Sequence, residues 1–305
     1  MFVGNIKFYM NKVIQFIHPG VEHTISTGIN WNSGAHRRKY LKIKGDYLTD
    51  LNSSSQNDTL FFWGEWEAQS EATAIENDKP DYPKTIFTPY YKYPAGRDNT
   101  DPFVFGNNFY YCVCKQGHYP SLRDVNKGDI ILFGSCKNEH FVLDTLFVVK
   151  DIREYELSEI PLLKTKYNKA FYDVSLAPIY VTDCVPQKEI INTKGVCLPI
   201  SCDDEDDKKP SKEVKKYRIY EAAMYDDRDE FSGMFSFVPC MPLKDGENGF
   251  KRPFITDDIY ITNPLSQGIK ISDIEDCYTF WNQITNQVLK QGLSLLINTD
   301  LPTLM

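Results

Sequence analysis

The hydrophobic residues of the chain are most concentrated between positions 122 and 152, and this stretch predicts a β-hairpin. A short apolar run at 130–133 is followed by a polar connection at 134–139 and by a longer apolar run at 141–149. β-Branched and aromatic runs joined by a Gly-, Ser- and Asn-rich connection are typical of two antiparallel strands. Because nearly every position in both runs is apolar, we expect other parts of the protein to cover both faces of the hairpin.

The same pattern predicts further strands at 13–17, 59–68 and 216–225, and a short helix near 35–41. At the carboxyl end, Ser272 and Glu275 have the spacing of a capping box at a helix start. Apolar residues then recur at spacings of three, four and seven: Ile274, Cys277, Trp281, Ile284, Val288 and Leu295. This single apolar stripe predicts an amphipathic helix over 272–297 that closes the core.

The hairpin region resembles the central hairpin of PUA-like barrels of the ASCH and EVE types, which are bacterial relatives of the YTH modified-base readers. The resemblance depends on a leucine lead-in, Lys127-Gly128-Asp129, an apolar strand ending in Phe133, a polar turn, and a strand ending at Val149. It covers about a tenth of the chain. Three further stretches resemble an uncharacterised bacterial family: His18-Pro19-Gly20, the run from Phe62 to Glu67 (FWGEWE) and the run from Asn99 to Phe103 (NTDPF).

The resemblance implies an α+β protein with a PUA-like mixed β-barrel core, elaborated by an N-terminal segment and closed by the C-terminal helix. We expect a single elaborated domain over 1–305, in which 10–155 carry the N-terminal segment and the barrel strands. An acidic-then-basic run containing Pro210 predicts a surface loop at 203–212. In the PUA-like readers, an aromatic-lined pocket beside the barrel holds a modified base, and a site of that kind is expected here.

The net charge and the composition limit the classes of binding partner that are expected. The formal net charge of the 305 residues is −8, so a binding face that coats duplex nucleic acid over a large area is not expected, while a local basic patch is. The aromatic content of 14% supplies residues for stacking pockets as well as for the core. The chain has no apolar run near the roughly 20 residues that span a bilayer and no leader-like start, so no membrane partner is expected. Its 8 cysteines form no Cys-x-x-Cys pair, which predicts reduced thiols and a cytoplasmic location.

Most histidines lie in the N-terminal segment, where His18, Glu22, His23 and His36 form a candidate divalent-metal site. The alternative is that these loop residues make ordinary hydrogen bonds, because the spacing does not match the helical His-Glu-x-x-His pair. His18, His23 and Glu65 are also candidates for general acid–base catalysis. No cofactor is predicted, since the chain lacks both the dinucleotide-binding Gly-x-Gly-x-x-Gly arrangement and the phosphate-binding Gly-x-x-x-x-Gly-Lys-Ser/Thr loop.

A basic and aromatic cluster follows directly. Arg37, Arg38 and Lys39 can bind phosphate oxygens, and Trp31 can stack on a base. Trp63, Glu65 and Trp66 surround a glycine and could supply a stacking wall with a hydrogen-bond acceptor. The alternatives are a solvated basic segment and buried core tryptophans.

These features favour a nucleotide-, modified-base- or nucleic-acid-binding module of a bacterial cytoplasmic system, for example one of nucleic-acid modification or defence. One alternative is an enzyme, either a metal-assisted hydrolase or a nucleotide-modifying protein, that uses the N-terminal histidines and glutamate. A second alternative is a protein-interaction domain.

Overall fold

A computed structural model describes residues 11–18, 22, 38–76, 79–92, 99–137, 140–183, 216–246, 249–256 and 268–305. In chain order, the strands are β1 (Asn11–His18), β2 (Lys39–Leu48), β3 (Gln56–Gly64), β4 (Ser70–Ala74), β5 (Thr85–Tyr91), β6 (Tyr110–Tyr111), β7 (Ile130–Lys137), β8 (His140–Glu156), β9 (Lys216–Ala222), β10 (Val238–Pro242), β11 (Phe254–Ile255), β12 (Gly268–Ile274), β13 (Ser294–Thr299) and β14 (Thr303–Leu304).

The helices are few and short. The α-helices are α1 (Ile160–Leu163), α2 (Lys169–Phe171), α3 (Ala177–Asp183) and α4 (Cys277–Lys290), with a π-helical turn at Tyr172–Leu176 between α2 and α3. Turns of 3₁₀ helix lie at Pro120–Arg123, Leu157–Glu159, Tyr225–Phe231 and Leu243–Asp245. In the part of the chain that the structure describes, no helix is both long and apolar enough to cross a bilayer.

The strands form two sheets, and one of them contains a small closed barrel. The first sheet has the order β12-β1-β7-β8-β9-β6, with β11 added along β8. The second has the order β13-β10-β3-β2-β5-β14, with β4 along β5 and an additional pairing of β13 with β2. The pairs β2–β3, β3–β10, β10–β13 and β13–β2 are all antiparallel, so these four strands close into a ring. The molecule is therefore an α+β protein that contains a closed four-stranded antiparallel barrel.

The predicted hairpin is present as β7 and β8, and both of its faces are buried, as the apolar pattern indicates. Ile130 and Leu146 contact one hydrophobic cluster, and Ile131 and Phe147 contact the other. The strands extend into the predicted turn because a bulge at Phe133/Gly134 lets pairing continue. At Gly134, an added Cβ would lie 2.2 Å from the Val142 carbonyl oxygen, so only glycine fits.

The prediction that the barrel strands lie within 10–155 is wrong for two of the four strands of the ring, β10 and β13. The hairpin belongs to the first sheet, whereas β10 and β13 of the ring come from far later in the chain. The short helix predicted near 35–41 is also wrong from Lys39 onward, where β2 begins. The sequence of β2 does not alternate between apolar and polar residues, because it contains several charged residues and because the consecutive residues Lys39, Tyr40 and Leu41 are all buried.

The C-terminal helix is confirmed as amphipathic, but its predicted bounds, 272–297, are wrong at both ends. Ser272 lies in β12, and the helix starts after Asp276, whose side chain accepts a hydrogen bond from the Thr279 backbone N–H. It ends at Lys290 because Gly292 takes the left-handed conformation at φ 77°, after which the chain enters β13.

Hydrophobic side chains form two clusters, to which neighbouring residues of a strand contribute alternately. The first cluster packs beneath the helical segment 157–180. The second packs beneath α4, with Trp281 and Ile284 at its centre. The predicted surface loop 203–212 lies outside the described residues, and the single-domain assignment over 1–305 stays a prediction.

Candidate functional site

Two arginines and two carboxylates form an ion network inside the protein. Arg38 lies just before β2, Glu65 just after β3, Asp144 in β8 and Arg252 just before β11. Arg38 Nη1 is 2.5 Å from Glu65 Oε2, and Arg38 Nε is 2.8 Å from Asp144 Oδ2. Arg252 donates to the other Asp144 oxygen, Oδ1, through Nε at 2.9 Å and Nη2 at 2.6 Å. All four side chains are at most 4% exposed, so the network joins both sheets in the interior.

The network can be buried because its formal charges cancel, two positive against two negative. Burial lowers the pKa of the Arg38 guanidinium, but the nearby charges of Asp144 and Glu65 outweigh this effect, and the net pKa is raised. For Arg252, burial outweighs the attraction of Asp144, and the positive charge of Arg38 adds to the effect, so its pKa is lowered.

Arg252 has two further neighbours. Its Nη2 donates a hydrogen bond to the Ser135 hydroxyl, and its guanidinium lies 5.6 Å from the Trp63 ring centroid. Trp63 in turn lies 5.5 Å from the Tyr40 ring in the second hydrophobic cluster. The indole and the carboxylate hold the guanidinium in one orientation.

Arg252 also forms part of the wall of a surface cleft of about 160 Å³. The lining residues are Asp81, Lys137, His140, Val142, Lys251, Arg252 and Phe254. Three of them are cationic, and one, Asp81, is anionic and pairs with Lys137 at 3.0 Å. Asp144 offsets the charge of Arg252, and Asp81 offsets that of Lys137. The net positive charge of the lining therefore comes from Lys251, which in a chain of net charge −8 favours an anionic ligand. The volume is below the 300–1,000 Å³ typical of drug-sized ligands, so the cleft suits one small unit rather than a dinucleotide.

An exposed aromatic ring forms one edge of the cleft. Phe254 is 45% exposed, and its ring lies 5.9 Å from the His140 imidazole. Its backbone is fixed on two sides. β11 pairs with β8 at Val142, and the Gln291 side chain at the end of α4 both accepts from Phe254 N at 3.2 Å and donates to Phe254 O at 2.9 Å. The ring is therefore presented to solvent from a rigid position.

The structure brings some of the predicted site residues together and separates others. Arg38 and Glu65 are in direct contact, and Trp63 is joined to them through Arg252 and Asp144. Trp66 lies instead in the first hydrophobic cluster, 5.0 Å from the Phe105 ring, and its Nε1 donates to the Gln69 carbonyl. The Trp66 ring and the Lys39 side chain are both buried. The ligand-binding roles assigned to these residues stay predictions.

The N-terminal candidates are only partly described. His23, Trp31, His36 and Arg37 lie outside the described residues. His18 ends β1, where its backbone is paired with Ser135.

Glu22 Oε1 accepts hydrogen bonds from the backbone N–H groups of Lys84 at 2.6 Å and Thr85 at 3.3 Å. Burial raises the pKa of Glu22. The metal-site hypothesis therefore stays untested, although within the described ranges no group of three or more His, Cys, Asp or Glu side chains could hold a metal ion.

Asp101 is another buried carboxylate, and its hydrogen bonds hold the local backbone in place. Its oxygens accept from three successive backbone N–H groups, those of Cys112 at 2.9 Å and of Val113 and Cys114 at 2.7 Å. Burial raises the pKa of Asp101 to about 7, against the effect of these hydrogen bonds. Among the described cysteines, Cys112, Cys240 and Cys277 are not in disulfide bonds.

Most residues of the cleft were not among the site residues predicted from the sequence. Lys251 and Arg252 stand between Phe250 and Phe254, which is the same basic and aromatic signature that identified Arg37 and Arg38. That signal was present in the sequence. The meeting of this segment with Lys137 and His140 was not, because it depends on the pairing of β11 with β8.

No protein-family model, curated protein or solved structure matches the chain. The fold and the site therefore define only a class: an α+β protein with a small closed barrel and a basic, aromatic-edged cleft above a buried ion network.

Proposed function

We propose that the protein is a binding module for phosphate-bearing ligands, namely nucleotides or nucleic acid, of a bacterial cytoplasmic system, and that its barrel is PUA-like. The observation that carries the proposal is the cleft, where Lys137, Lys251 and Arg252 stand around one opening beside the Phe254 ring. Guanidinium and ammonium groups bind phosphate oxygens, and an adjacent exposed ring offers a surface for a base. A closed four-stranded barrel is compatible with the PUA-like assignment, while the hairpin β7–β8, on which the resemblance depends, lies in the other sheet.

The parts of the cleft have distinct roles in this proposal. Lys137 and Lys251 are the phosphate ligands, and Arg252, which is buried and fixed by Asp144 and Trp63, adds its positive charge from beneath the cleft. Asp81 competes with the phosphate for Lys137. Arg38 and Glu65 support Arg252 from below through Asp144, and they do not contact the ligand themselves.

Binding of a labelled oligonucleotide by the Lys137→Glu/Lys251→Glu variant tests the proposal. Fluorescence anisotropy at low ionic strength should show a loss of at least about tenfold in affinity, because two attractive charges become repulsive. Asp81→Asn should change affinity in the opposite direction. The wild-type affinity should fall as salt rises, since phosphate contacts release counterions.

The matched control is Lys164→Glu/Lys166→Glu, which makes the same charge change at two exposed lysines outside the cleft lining. It should bind nearly as the wild type does. Equal losses in the two double variants would mean that net charge alone is responsible, and the proposal would then fail. It would also fail if the wild type bound no oligonucleotide, nucleotide or inorganic phosphate.

A further inference from the structure

Phe254 is unusual among the exposed hydrophobic residues because its position is tightly held. The described residues include other exposed large apolar side chains, such as Tyr278 at 44% and Leu301 at 43%. Phe254, in contrast, has its backbone bonded on one side to β8, where Leu143 N also donates to the Pro253 carbonyl, and on the other side to the Gln291 amide. A hydrophobic ring that is both rigid and exposed loses little conformational entropy when it binds a ligand.

Two cations, Lys137 and Lys251, line the cleft together with this ring. Cations at two positions suit a ligand with successive phosphates, whereas a mononucleotide would use only one of them. The cleft volume of about 160 Å³ leaves room for a single base-sized unit at the ring.

We infer that the ligand is single-stranded nucleic acid, with one unpaired base stacked on Phe254 beside His140 and the adjoining phosphates bound by Lys137 and Lys251. This inference rests on the proposed function and narrows it. A base within a duplex has both faces covered by its neighbours, so it cannot offer a face to Phe254 without being unstacked. The duplex should therefore bind through its phosphates alone.

Three labelled probes of about twelve nucleotides test this inference: a thymidine single strand, an abasic single strand of the same length, and a duplex. The thymidine strand should bind about 5- to 150-fold more tightly than the abasic strand, which is the range expected for one stacked base. Phe254→Ala should abolish this difference, and Phe254→Trp should preserve it. Thymidine monophosphate should compete only weakly with the labelled strand.

The control is Tyr278→Ala, which removes a comparably exposed ring from outside the cleft lining and should leave all three affinities unchanged. Circular dichroism of Phe254→Ala establishes that the variant is folded. If the abasic strand or the duplex binds as tightly as the thymidine strand, or if Phe254→Ala binds as the wild type does, the stacking inference is overturned. If the mononucleotide binds as tightly as the strand, the assignment to a polymer is overturned.

These outcomes are separable from failure of the proposed function. Loss of binding in Lys137→Glu/Lys251→Glu together with unchanged binding in Phe254→Ala would leave the phosphate site intact and remove only the stacked base. Absence of binding of every probe to the wild-type protein would remove both.

Discussion

Asp144 is in contact with two arginines at once, and each of its oxygens faces a different one. Buried ion pairs contribute little net stability compared with apolar residues of the same shape, because desolvation offsets the attraction between the charges. Loss of a single partner is different, since it leaves the remaining charges buried without compensation. The network therefore acts mainly by fixing Arg252 under the cleft and by joining the two sheets in one arrangement.

Asp144→Asn should lower the free energy of unfolding by about 3–5 kcal/mol, because Arg38 and Arg252 would then share only the charge of Glu65. Urea unfolding followed by tryptophan fluorescence measures this change. Asp151→Asn, an exposed acid-to-amide change in the same strand, is the matched control and should cost less than about 0.5 kcal/mol. Similar losses in the two variants would show that the network does not have this role.

Asp101 should make stability depend on pH. Its pKa is raised from 3.8 to about 7 in the folded protein, so between these values the folded state holds a proton that the unfolded state has lost. Stability should therefore be highest at the acid end of this window and should fall as the pH rises to about 7, by up to about 4 kcal/mol. The direction is opposite to that of an ion-paired carboxylate.

Carboxyl-carbon NMR reads the pKa of Asp101 directly, and urea unfolding at pH 5 and pH 8 reads its effect on stability. In Asp101→Asn, this component of the pH dependence should be absent, so the stability difference between the variant and the wild type should change with pH. A difference that stays constant from pH 5 to pH 8 would contradict the expectation.

Among the elements, α4 depends on its two ends. Asp276 caps its start by accepting from Thr279 N at 3.1 Å, and Gly292 at φ 77° turns the chain into β13. The apolar stripe alone could not locate either end, because Leu295 continues its spacing although it belongs to a strand. The glycine was the stronger signal, since a left-handed residue after the last turn is a common helix stop.

Gly292→Ala should destabilise the protein by about 1–2 kcal/mol, the cost of a left-handed conformation for a residue with a Cβ. Crowding is not the cause, because an added Cβ would meet nothing within 4 Å. Gly292→Asn should cost less, since asparagine tolerates this conformation better. Thermal unfolding of the two variants measures the difference, and an asparagine variant that is the less stable of the two would be inconsistent with this account.

For the whole molecule, the sequence predicted what local patterns determine. The hairpin β7–β8, strands β1 and β9, and the amphipathic character of α4 follow from periodicity and turn residues. The ring of β2, β3, β10 and β13 could not be predicted in this way, because its closure depends on pairing between distant parts of the chain, such as Leu48 with Leu295.

The same limit applies to the site. Arg38, Trp63 and Glu65 were identified from their residue types, and the structure links them. Their partners Asp144 and Arg252 were missed. An acid within an apolar strand and a basic dipeptide near position 250 indicate a shared site only once the pairing of β8 with β11 is known. Trp66 is buried in the first hydrophobic cluster, the arrangement of the alternative prediction of core tryptophans, and it follows the end of β3 at Gly64, where alternation no longer predicts direction.

The closed ring has a consequence for the protein during translation. β2 and β3 leave the ribosome early. Their partners follow roughly two hundred residues later: β10 pairs with residues 60–62 of β3, and β13 pairs with residues 45–48 of β2. At typical elongation rates that interval lasts on the order of ten seconds or more. Throughout it, the nascent chain carries two apolar strands with open edges, so the period of synthesis is when this protein most needs protection by chaperones.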